Sequence, residues 1–347
     1  MKNSPLVSVI VVNYNGLEFL GRCLQSVLSS RYPCFEIILV DNRSTDGSRD
    51  VAMKFAGHDG RIKVIYNEKN LGPAAGRNIG GKIGRGSYLA FIDNDTEVDP
   101  NWLDEAIKVM ESDSKIGAIQ CKLLLLDSPN RFDYAGDFLS PYGFLIQRVD
   151  AGAFDDGSLD SQTAIFSAKS AGMIVRRDVF KKAMGFDSDY FIYVEETDLC
   201  WRIWLLGYRV VFVPRSKVYH AFGRSSKRVT PFSRYLVRYH FSKNYVLTLL
   251  KNLSIDKLVE ILPRHLVLWM AVSLWLILKR RPTEMAWIIG GIVWNLVNLR
   301  KVWEKRLIVQ EQLRNMYDDA IWPSITRKES LRYFYRKASN PISGWWD

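Results

Sequence analysis

Short apolar runs alternate with helical stretches along the first hundred residues of the chain. Apolar strands that alternate with helices are typical of a parallel sheet covered by helices, because its strands are buried on both faces. The predicted strands are Val7–Val12, Glu36–Val40, Lys63–Tyr66 and Tyr88–Ile92, and the predicted helices are Glu18–Leu28, Ser48–Ala56 and Ala74–Ile83. We therefore predict an α/β fold with a doubly wound, mostly parallel sheet flanked by helices.

Similar strand and helix signals continue to residue 213, with one interruption. The predicted helices are Asn101–Met110, Arg177–Met184 and Thr197–Leu206, and the predicted strands are Ile116–Leu126, Ala171–Val175 and Arg209–Val213. The interruption, Ser128–Thr163, is rich in Gly, Asp and Ser and has little periodicity, which predicts loops over a site.

The pattern changes after His220, where two apolar runs, Leu266–Leu278 and Met285–Leu299, follow an aromatic and basic stretch. As a helix, each run would be roughly 20 Å long, short of the about 30 Å hydrocarbon core of a bilayer. We predict re-entrant or interfacial helices, and a helical hairpin packed on the main domain is the alternative. Lys301–Met316 has the pattern of an amphipathic basic helix that lies in the headgroup plane.

The distribution of charge also differs between the N-terminal and C-terminal parts of the chain. The net charge of +11 is the sum of −4 over residues 1–213 and +15 over residues 214–347, and eight of the 11 Trp follow residue 265. A basic, Trp-rich segment is typical of contact with an anionic membrane surface. Because no nucleic-acid-binding motif accompanies the charge, a nucleic-acid partner is not expected. We predict a catalytic domain over 1–228 and a helical, membrane-associated region over 229–347.

The four cysteines are scattered and form no C-x-x-C pair, which argues against a disulfide scaffold or a cysteine zinc site. The N-terminus is short and polar and has no signal-peptide pattern. Both observations favour a cytosolic location.

Three predicted strands end in clusters of polar residues. In open α/β sheets, ligands bind beyond the carboxyl ends of the strands. The clusters are Asn13-Tyr14-Asn15-Gly16, Asp41 to Gly47, and Asp93-Asn94-Asp95. Each cluster alone is compatible with a capped turn, but three at successive strand ends indicate a ligand site.

Asp93 and Asp95 are the most informative pair in these clusters. Carboxylates at the end of a buried strand are costly unless they are paired. Two of them, one residue apart, can share a divalent cation with phosphate oxygens. Such a cation would neutralise the charge that develops on a diphosphate leaving group.

Six segments, taken in order, resemble a known family: VSVIVVNYNG, VDNRSTDGS, NLGPAAGRNIG, FIDNDTEVDPNWL, YFIYVEETDLCWRIWLLGYRVVFVP and VYHAFGRSS. The chain resembles family 2 glycosyltransferases of the GT-A fold, in particular the group that contains rhamnosyltransferases. The resemblance implies Mg²⁺- or Mn²⁺-dependent transfer of a sugar, with inversion, from a nucleotide-sugar donor. It also implies a lipid-linked saccharide or growing glycan as acceptor, at the cytoplasmic face of the cell membrane, in cell-envelope polysaccharide biosynthesis.

The resemblance also implies residue roles on the donor side. Tyr14 would stack on the base and Asp41 would bind the nucleoside, although Asp41 could instead cap its turn. Arg77 would reach the nucleotide or pyrophosphate, or else be an exposed helix residue. The full donor-binding set is Tyr14, Asp41, Asn42, Arg77, Asp93, Asn94 and Arg224. The metal ligands would be Asp95 and His220.

An inverting displacement also requires a general base opposite the leaving group. Glu195, Glu196 and Asp198 stand where a helix begins. In the family the second acid of the pair is the base, which implies Glu196. A Glu stands here in place of the usual Asp, so Glu195 is the alternative. Trp201 could line the acceptor pocket or pack in the core.

Two other functions are compatible with parts of this pattern. A sugar-nucleotide nucleotidyltransferase would explain Asp93 and Asp95, but not the Glu-Glu-x-Asp segment or the basic C-terminal region. A non-catalytic scaffold in glycan assembly would not need acids at each of these positions.

Overall fold

The computed structural model describes residues 4–221, 231–330 and 332–334, with side chains from residue 235 onward in the second range. The strands are β1 Val7–Asn13, β2 Phe35–Asp41, β3 Ile62–Tyr66, β4 Tyr88–Asp93, β5 Thr96–Val98, β6 Ile116–Leu125, β7 Ser128–Tyr134, β8 Asp137–Leu139, β9 Leu145–Gln147, β10 Thr163–Ala164, β11 Met173–Arg176 and β12 Arg209–His220. The helices are α1 Leu17–Leu28, α2 Ser48–His58, α3 Gly72–Ile83, α4 Trp102–Ser112, α5 Arg177–Lys182, α6 Glu195–Leu205, α7 Pro231–Asn252, α8 Ile255–Leu278, α9 Pro282–Val297, α10 Leu299–Leu307 and α11 Asp318–Ile325.

The first four strands form the predicted parallel part of the central sheet. The sheet order is β10-β12-β6-β11-β4-β1-β2-β3, with β5 paired to β12 and β7 to β6. Asn13 is opposite Asp41, and Val12 is opposite Asp93, so the three polar clusters meet at one edge. β11 is antiparallel to both β4 and β6, so the sheet is mixed.

The prediction of loops over Ser128–Thr163 was wrong for part of this segment, because three strands lie in it and a fourth begins at Thr163. β7 pairs with β6, and β8 pairs with β9 in a separate two-stranded sheet. These strands form through pairing with neighbours rather than through a local pattern, which is why the sequence gives little indication of them.

β12 continues past Pro214 to His220, whereas the sequence predicted its end at Val213. Its register with β6 shifts between Val213 and Lys217. This irregularity accommodates the proline, which is tolerated where no ladder hydrogen bond is needed. The extension of β12 brings His220 to the edge of the sheet where the polar clusters lie.

The first C-terminal apolar run lies inside the longer helix α8, and most of the second forms α9, which begins at Pro282 and ends at Val297. α8 begins at Ile255 and has 24 residues, about 36 Å at about 1.5 Å per residue. By length and composition, α8 is the one helix in the described ranges that could cross a membrane. α8 and α9 pack against each other and against α7, which is compatible with the alternative of a helical hairpin as well as with the predicted interfacial helices. The predicted helix Lys301–Met316 is α10 followed by a π-helical turn over Ile308–Leu313.

One hydrophobic cluster joins the C-terminal helices to the rest of the molecule. It contains Phe144 and Tyr190 together with Tyr245 and Trp269, all of them buried. The predicted domain boundary at residue 228 lies outside the described residues, and the division into two domains stays a prediction. The packing nevertheless places α7 and α8 directly against the polar edge of the sheet.

Candidate active site

A cavity of about 540 Å³ lies at the edge where the three polar clusters meet. Its walls include most of the residues that the sequence selected: Tyr14, Asn42, Arg77, Asp93, Asn94, Asp95, Glu195, Glu196 and His220. Tyr14 is half exposed. Arg224 lies outside the described residues. Asp93 and Asp95 of the third polar cluster therefore face the same space as Glu195 and Glu196 at the start of α6.

Asp41 holds the loop after β2 and is not among the residues that line the cavity. Its carboxylate accepts hydrogen bonds from Asn13 Nδ2 at 3.0 Å, Arg49 Nε at 2.8 Å and the backbone N–H of Ser44 at 3.0 Å. Burial raises the pKa of Asp41, but its hydrogen bonds lower the pKa by more, so that it lies below the usual value. The contacts match the turn-capping alternative, and nucleoside binding by Asp41 stays a prediction.

Asp93, Asp95 and His220 form a group of possible metal ligands. One ligand atom from each lies within 4.8 Å of the others. The pairing of β5 with β12 places His220 opposite Thr96, and His220 Nε2 is 3.3 Å from Asp95 Oδ1. Carboxylate oxygens suit Mg²⁺ and Mn²⁺, and imidazole is a ligand for many transition metals. The residues present therefore fit a divalent cation.

Asp133, which the sequence analysis missed, fixes the orientation of His220. Its buried Oδ2 is 2.9 Å from His220 Nδ1, and its Oδ1 has no hydrogen-bond partner among the described residues. A carboxylate that accepts from one ring nitrogen of a histidine directs the other nitrogen toward a metal. Burial lowers the pKa of His220, but its hydrogen bonds to Asp133 and Asp95 raise it well above the usual value.

Arg77 is buried and connects the two sides of the cavity, so the alternative of an exposed helix residue is wrong. Its guanidinium donates to Glu195 Oε1 at 2.7 Å and to Asp93 Oδ1 at 3.0 Å. Glu196 Oε1 is 3.8 Å from the same guanidinium. Arg77 thus neutralises carboxylates that would otherwise repel one another inside a buried site. Its contact with the donor stays a prediction.

Glu195 and Glu196 differ in their surroundings. The Glu195 side chain is 2% exposed, and its Oε2 has no hydrogen-bond partner among the described residues. Burial, and secondly the charge of Glu196, raise the pKa of Glu195 to about 8. The Glu196 side chain is 17% exposed, and its Oε1 accepts a hydrogen bond of 2.7 Å from Ser170 Oγ. Glu196 is the more accessible of the two carboxylates.

The turn before α6 has an unusual backbone. Phe191, Tyr193 and Val194 have φ angles of 64°, 67° and 67°. Non-glycine residues with such angles cost on the order of 1–3 kcal/mol each and persist only where their surroundings hold them. The strained turn ends immediately before Glu195.

Of the two alternatives for Trp201, acceptor-pocket lining and core packing, the structure shows core packing. Trp201 is fully buried and packs edge-on against Phe166, with 5.1 Å between ring centroids. It does not line the cavity, because it lies about 140° around the helix from Glu196. Asp198, the third acid near the start of α6, is buried and pairs with Arg202 and Lys251. The aromatic residues that do line the cavity from the C-terminal helices are Phe241, Tyr245 and Trp269.

The chain is similar to known glycosyltransferases both in sequence and in fold. A family model described as Glycosyl transferase family 2 matches residues 8–182. Among solved structures, the mannosyltransferase PcManGT from Pyrobaculum calidifontis, in complex with GDP-Man and Mn²⁺, superposes with a TM-score of 0.56 at 17% sequence identity. The superposition covers 85% of this chain and 88% of that one. This likeness confirms the predicted GT-A fold.

Two relatives show higher identity over parts of the sequence. TuaG of Bacillus subtilis (strain 168), named for teichuronic acid biosynthesis, is 39% identical over 106 residues, which is 30% of this chain and 42% of TuaG. The O-antigen biosynthesis protein RfbC of Myxococcus xanthus is 30% identical over 227 residues, which is 63% of this chain and 18% of RfbC. The chain thus spans less than half the length of either relative.

Proposed function

Because this chain belongs to glycosyl transferase family 2, we propose that it is an inverting, metal-dependent glycosyltransferase. It moves a sugar from a nucleoside-diphosphate sugar to a hydroxyl of a lipid-linked or growing glycan. The observation that carries the proposal is the cavity shared by the Asp93–Asp95–His220 group and Glu196. A donor-activating group and a base in one cavity are what a direct displacement needs.

The donor side of the cavity would hold a divalent cation through Asp95 and His220, with Asp93 beside them. When bound, such a cation supplies charge neutralisation for the departing diphosphate. The donor chemistry of these residues supports Mn²⁺ or Mg²⁺. PcManGT, which shares the fold, was solved with GDP-Man and Mn²⁺, and this supports a nucleotide-sugar donor for the present chain.

Glu196 would act as the general base that takes the proton from the acceptor hydroxyl. Glu195 is buried and its Oε1 is held by the Arg77 guanidinium at 2.7 Å. The greater exposure of the Glu196 side chain favours Glu196 for this role. Ser170 donates a hydrogen bond to Glu196 Oε1 and orients the carboxylate. The Glu196 side chain is partly exposed, which leaves it accessible to an acceptor.

The C-terminal helices would hold the enzyme at a membrane surface that supplies a lipid-linked acceptor. α8 buries one face in the protein and exposes apolar side chains on another. The exposed residues are Val259, Val267, Met270, Leu274, Ile277 and Leu278. A helix with one face packed on protein and one apolar face open supports an interfacial position better than a spanning one. The names of TuaG and RfbC support a role in cell-envelope polysaccharide synthesis.

Donor turnover tests the proposal. The full chain, with Mn²⁺ and a panel of nucleotide sugars, should slowly release a nucleoside diphosphate from one donor, and chelation should stop the release. Release of pyrophosphate would indicate a nucleotidyltransferase instead. The absence of turnover with any donor would indicate a non-catalytic protein.

A further inference from the structure

The middle of helix α7, residues 240–244, contacts the strained turn before α6. Lys243 Nζ donates to the carbonyl of Asp189. His240 stacks on Phe191, with 5.6 Å between ring centroids. Phe241 stacks on Tyr193 at 4.7 Å, with the ring planes 12° apart. The C-terminal region therefore packs directly against the segment that leads into Glu195 and Glu196.

Asn244 makes the central contact of this interface. Its Nδ2 donates to three backbone carbonyls, those of Tyr190 at 3.1 Å, Ile192 at 2.8 Å and Tyr193 at 2.8 Å. The side chain is fully buried, and its Oδ1 has no hydrogen-bond partner among the described residues. Three converging carbonyl oxygens need a donor, so neither a carboxylate nor an apolar side chain can replace the amide.

The backbone of the turn explains why such a contact is needed. The positive φ angles at Phe191, Tyr193 and Val194 direct successive carbonyls toward α7. Bulky and β-branched residues adopt this conformation only when other contacts impose it. If the Asn244 contact is lost, the turn is expected to relax and shift the first turn of α6, which carries Glu196.

We infer that Asn244 is a positioning residue, which holds the 190–194 turn so that Glu196 faces the cavity. The inference rests on the proposed role of Glu196 and extends it, because it makes α7 part of the catalytic apparatus rather than only a link to the membrane. Asn244 acts on the transfer step through the backbone and touches no donor atom in this account. Its loss should therefore change kcat and leave the donor KM and the Mn²⁺ requirement unchanged.

Asn295 in α9 offers a matched control. It is buried to the same degree, and its Nδ2 also donates to backbone carbonyls, those of Lys243 at 3.0 Å and Gly291 at 3.2 Å. Its Oδ1 also has no hydrogen-bond partner among the described residues. Asn295→Ala thus loosens the packing of α7 on α9 without removing a contact to the turn.

The test compares Asn244→Ala and Asn295→Ala in the full chain, with the nucleotide sugar that turns over in the panel. We expect Asn244→Ala to lower kcat roughly 10- to 100-fold, the effect of a small misplacement of a reacting group, with the donor KM unchanged. Asn244→Gln, which keeps an amide N–H group, should restore part of the rate. Hydrogen exchange of the amides of residues 190–196 should rise in Asn244→Ala and not in Asn295→Ala.

Three results separate the possible failures. If Asn244→Ala and Asn295→Ala lower kcat equally, or if exchange of residues 190–196 is unchanged, Asn244 has no positioning role. In a Glu196→Gln background, Asn244→Ala should cause no further loss, and a full additional loss would show that it acts elsewhere. If Glu196→Gln alone keeps normal turnover, the proposed base is wrong. Should Asn244→Ala fail to fold, Asn244→Ser, whose hydroxyl keeps one hydrogen-bond donor, provides the same comparison with Asn295→Ser.

Discussion

The contact between Asp133 and His220 shows how one buried carboxylate can orient a candidate metal ligand. His220 Nδ1 is 2.9 Å from Asp133 Oδ2, while Nε2 faces Asp95. The ring is held at both nitrogens, so its orientation does not depend on the cation. A site prepared in this way loses less entropy when the metal binds.

Asp133→Asn should therefore weaken Mn²⁺ binding without removing a ligand. The neutral amide keeps the volume of the side chain but holds the imidazole less firmly, and we expect about a 10- to 100-fold loss of metal affinity. Titration calorimetry with Mn²⁺ measures the effect. Asp113→Asn is the control, because Asp113 pairs with Arg209 at the surface. Equal affinities for the two variants would exclude an orienting role.

The buried Glu195 gives a prediction for stability against pH. Its pKa rises from 4.5 to about 8 on folding, first through burial and then through the charge of Glu196. A raised carboxyl pKa stabilises the fold fully below about pH 4.5, and this contribution is lost as the pH rises to about 8. The difference in Tm, Glu195→Gln minus wild type, should become more positive between pH 5 and pH 8. A difference that is constant or falls would contradict the assignment.

At the residue scale, the sequence predicted the residues whose role follows from a strand end or a motif. Asp93 and Asp95 were selected from a strand end, and His220 and Glu196 from the family resemblance; all four line the cavity. Asp133 was missed because it lies in Ser128–Thr163, where no periodicity marks a strand. Its role depends on the pairing of β7 with β6, which is a tertiary contact.

At the scale of elements, small residues determine how closely α3 approaches the sheet. A Cβ placed on Gly80 would lie 2.4 Å from Ile10 Cγ2 in β1. α3 carries Arg77, so its distance from β1 also determines the contact of Arg77 with Asp93 and Glu195. Glycine at this position permits the close packing of helix on strand.

Gly80→Ala should accordingly destabilise the protein. Overpacking of this kind costs about 1–3 kcal/mol. Gly57 is the control, because it lies in α2 with nothing within 4 Å of the added Cβ, and Gly57→Ala should stabilise the helix by about 0.5–1 kcal/mol. Urea unfolding of both variants measures the two free energies. Equal changes for the two variants would show that α3 has room to move.

Element prediction succeeded where the pattern is local. The four strands of the parallel part extend by at most one residue at either end beyond their predicted bounds, because each is an apolar run that ends in polar residues. β12 was predicted too short because Pro214 normally ends a strand, whereas here a register shift accommodates it. The start of α6 was placed at Thr197 rather than Glu195 because no sequence rule predicts left-handed backbone at Tyr193 and Val194.

At the scale of the whole molecule, the C-terminal helices have two faces with different tasks in this account. One face of α8 packs inside and places Trp269 in the wall of the cavity. The other exposes apolar side chains over several turns. The sequence predicted membrane association through charge and Trp content. It could not indicate the packing of α7 on the catalytic turn, because that contact joins residues more than 50 positions apart.

The exposed apolar face predicts how the protein meets a bilayer. Met270 is 56% exposed in α8, and Met53 is 54% exposed in α2. Met270→Gln removes apolar contact with the bilayer without changing the charge. Because burial of one apolar side chain contributes about 1.5 kcal/mol, the substitution should weaken binding to anionic vesicles about tenfold. Met53→Gln should bind as the wild type does. Vesicle flotation compares them, and equal binding would place the membrane contact elsewhere.

Steady-state kinetics of Glu196→Gln test the central claim most directly. The substitution keeps the shape of the side chain and removes its ability to accept a proton. If Glu196 is the general base, kcat should fall by about 10²- to 10⁴-fold, while the donor KM and the Mn²⁺ dependence remain those of the wild type. A Glu196→Gln enzyme with near-normal kcat would contradict the account, because the carboxylate opposite Asp95 would then take no part in the transfer.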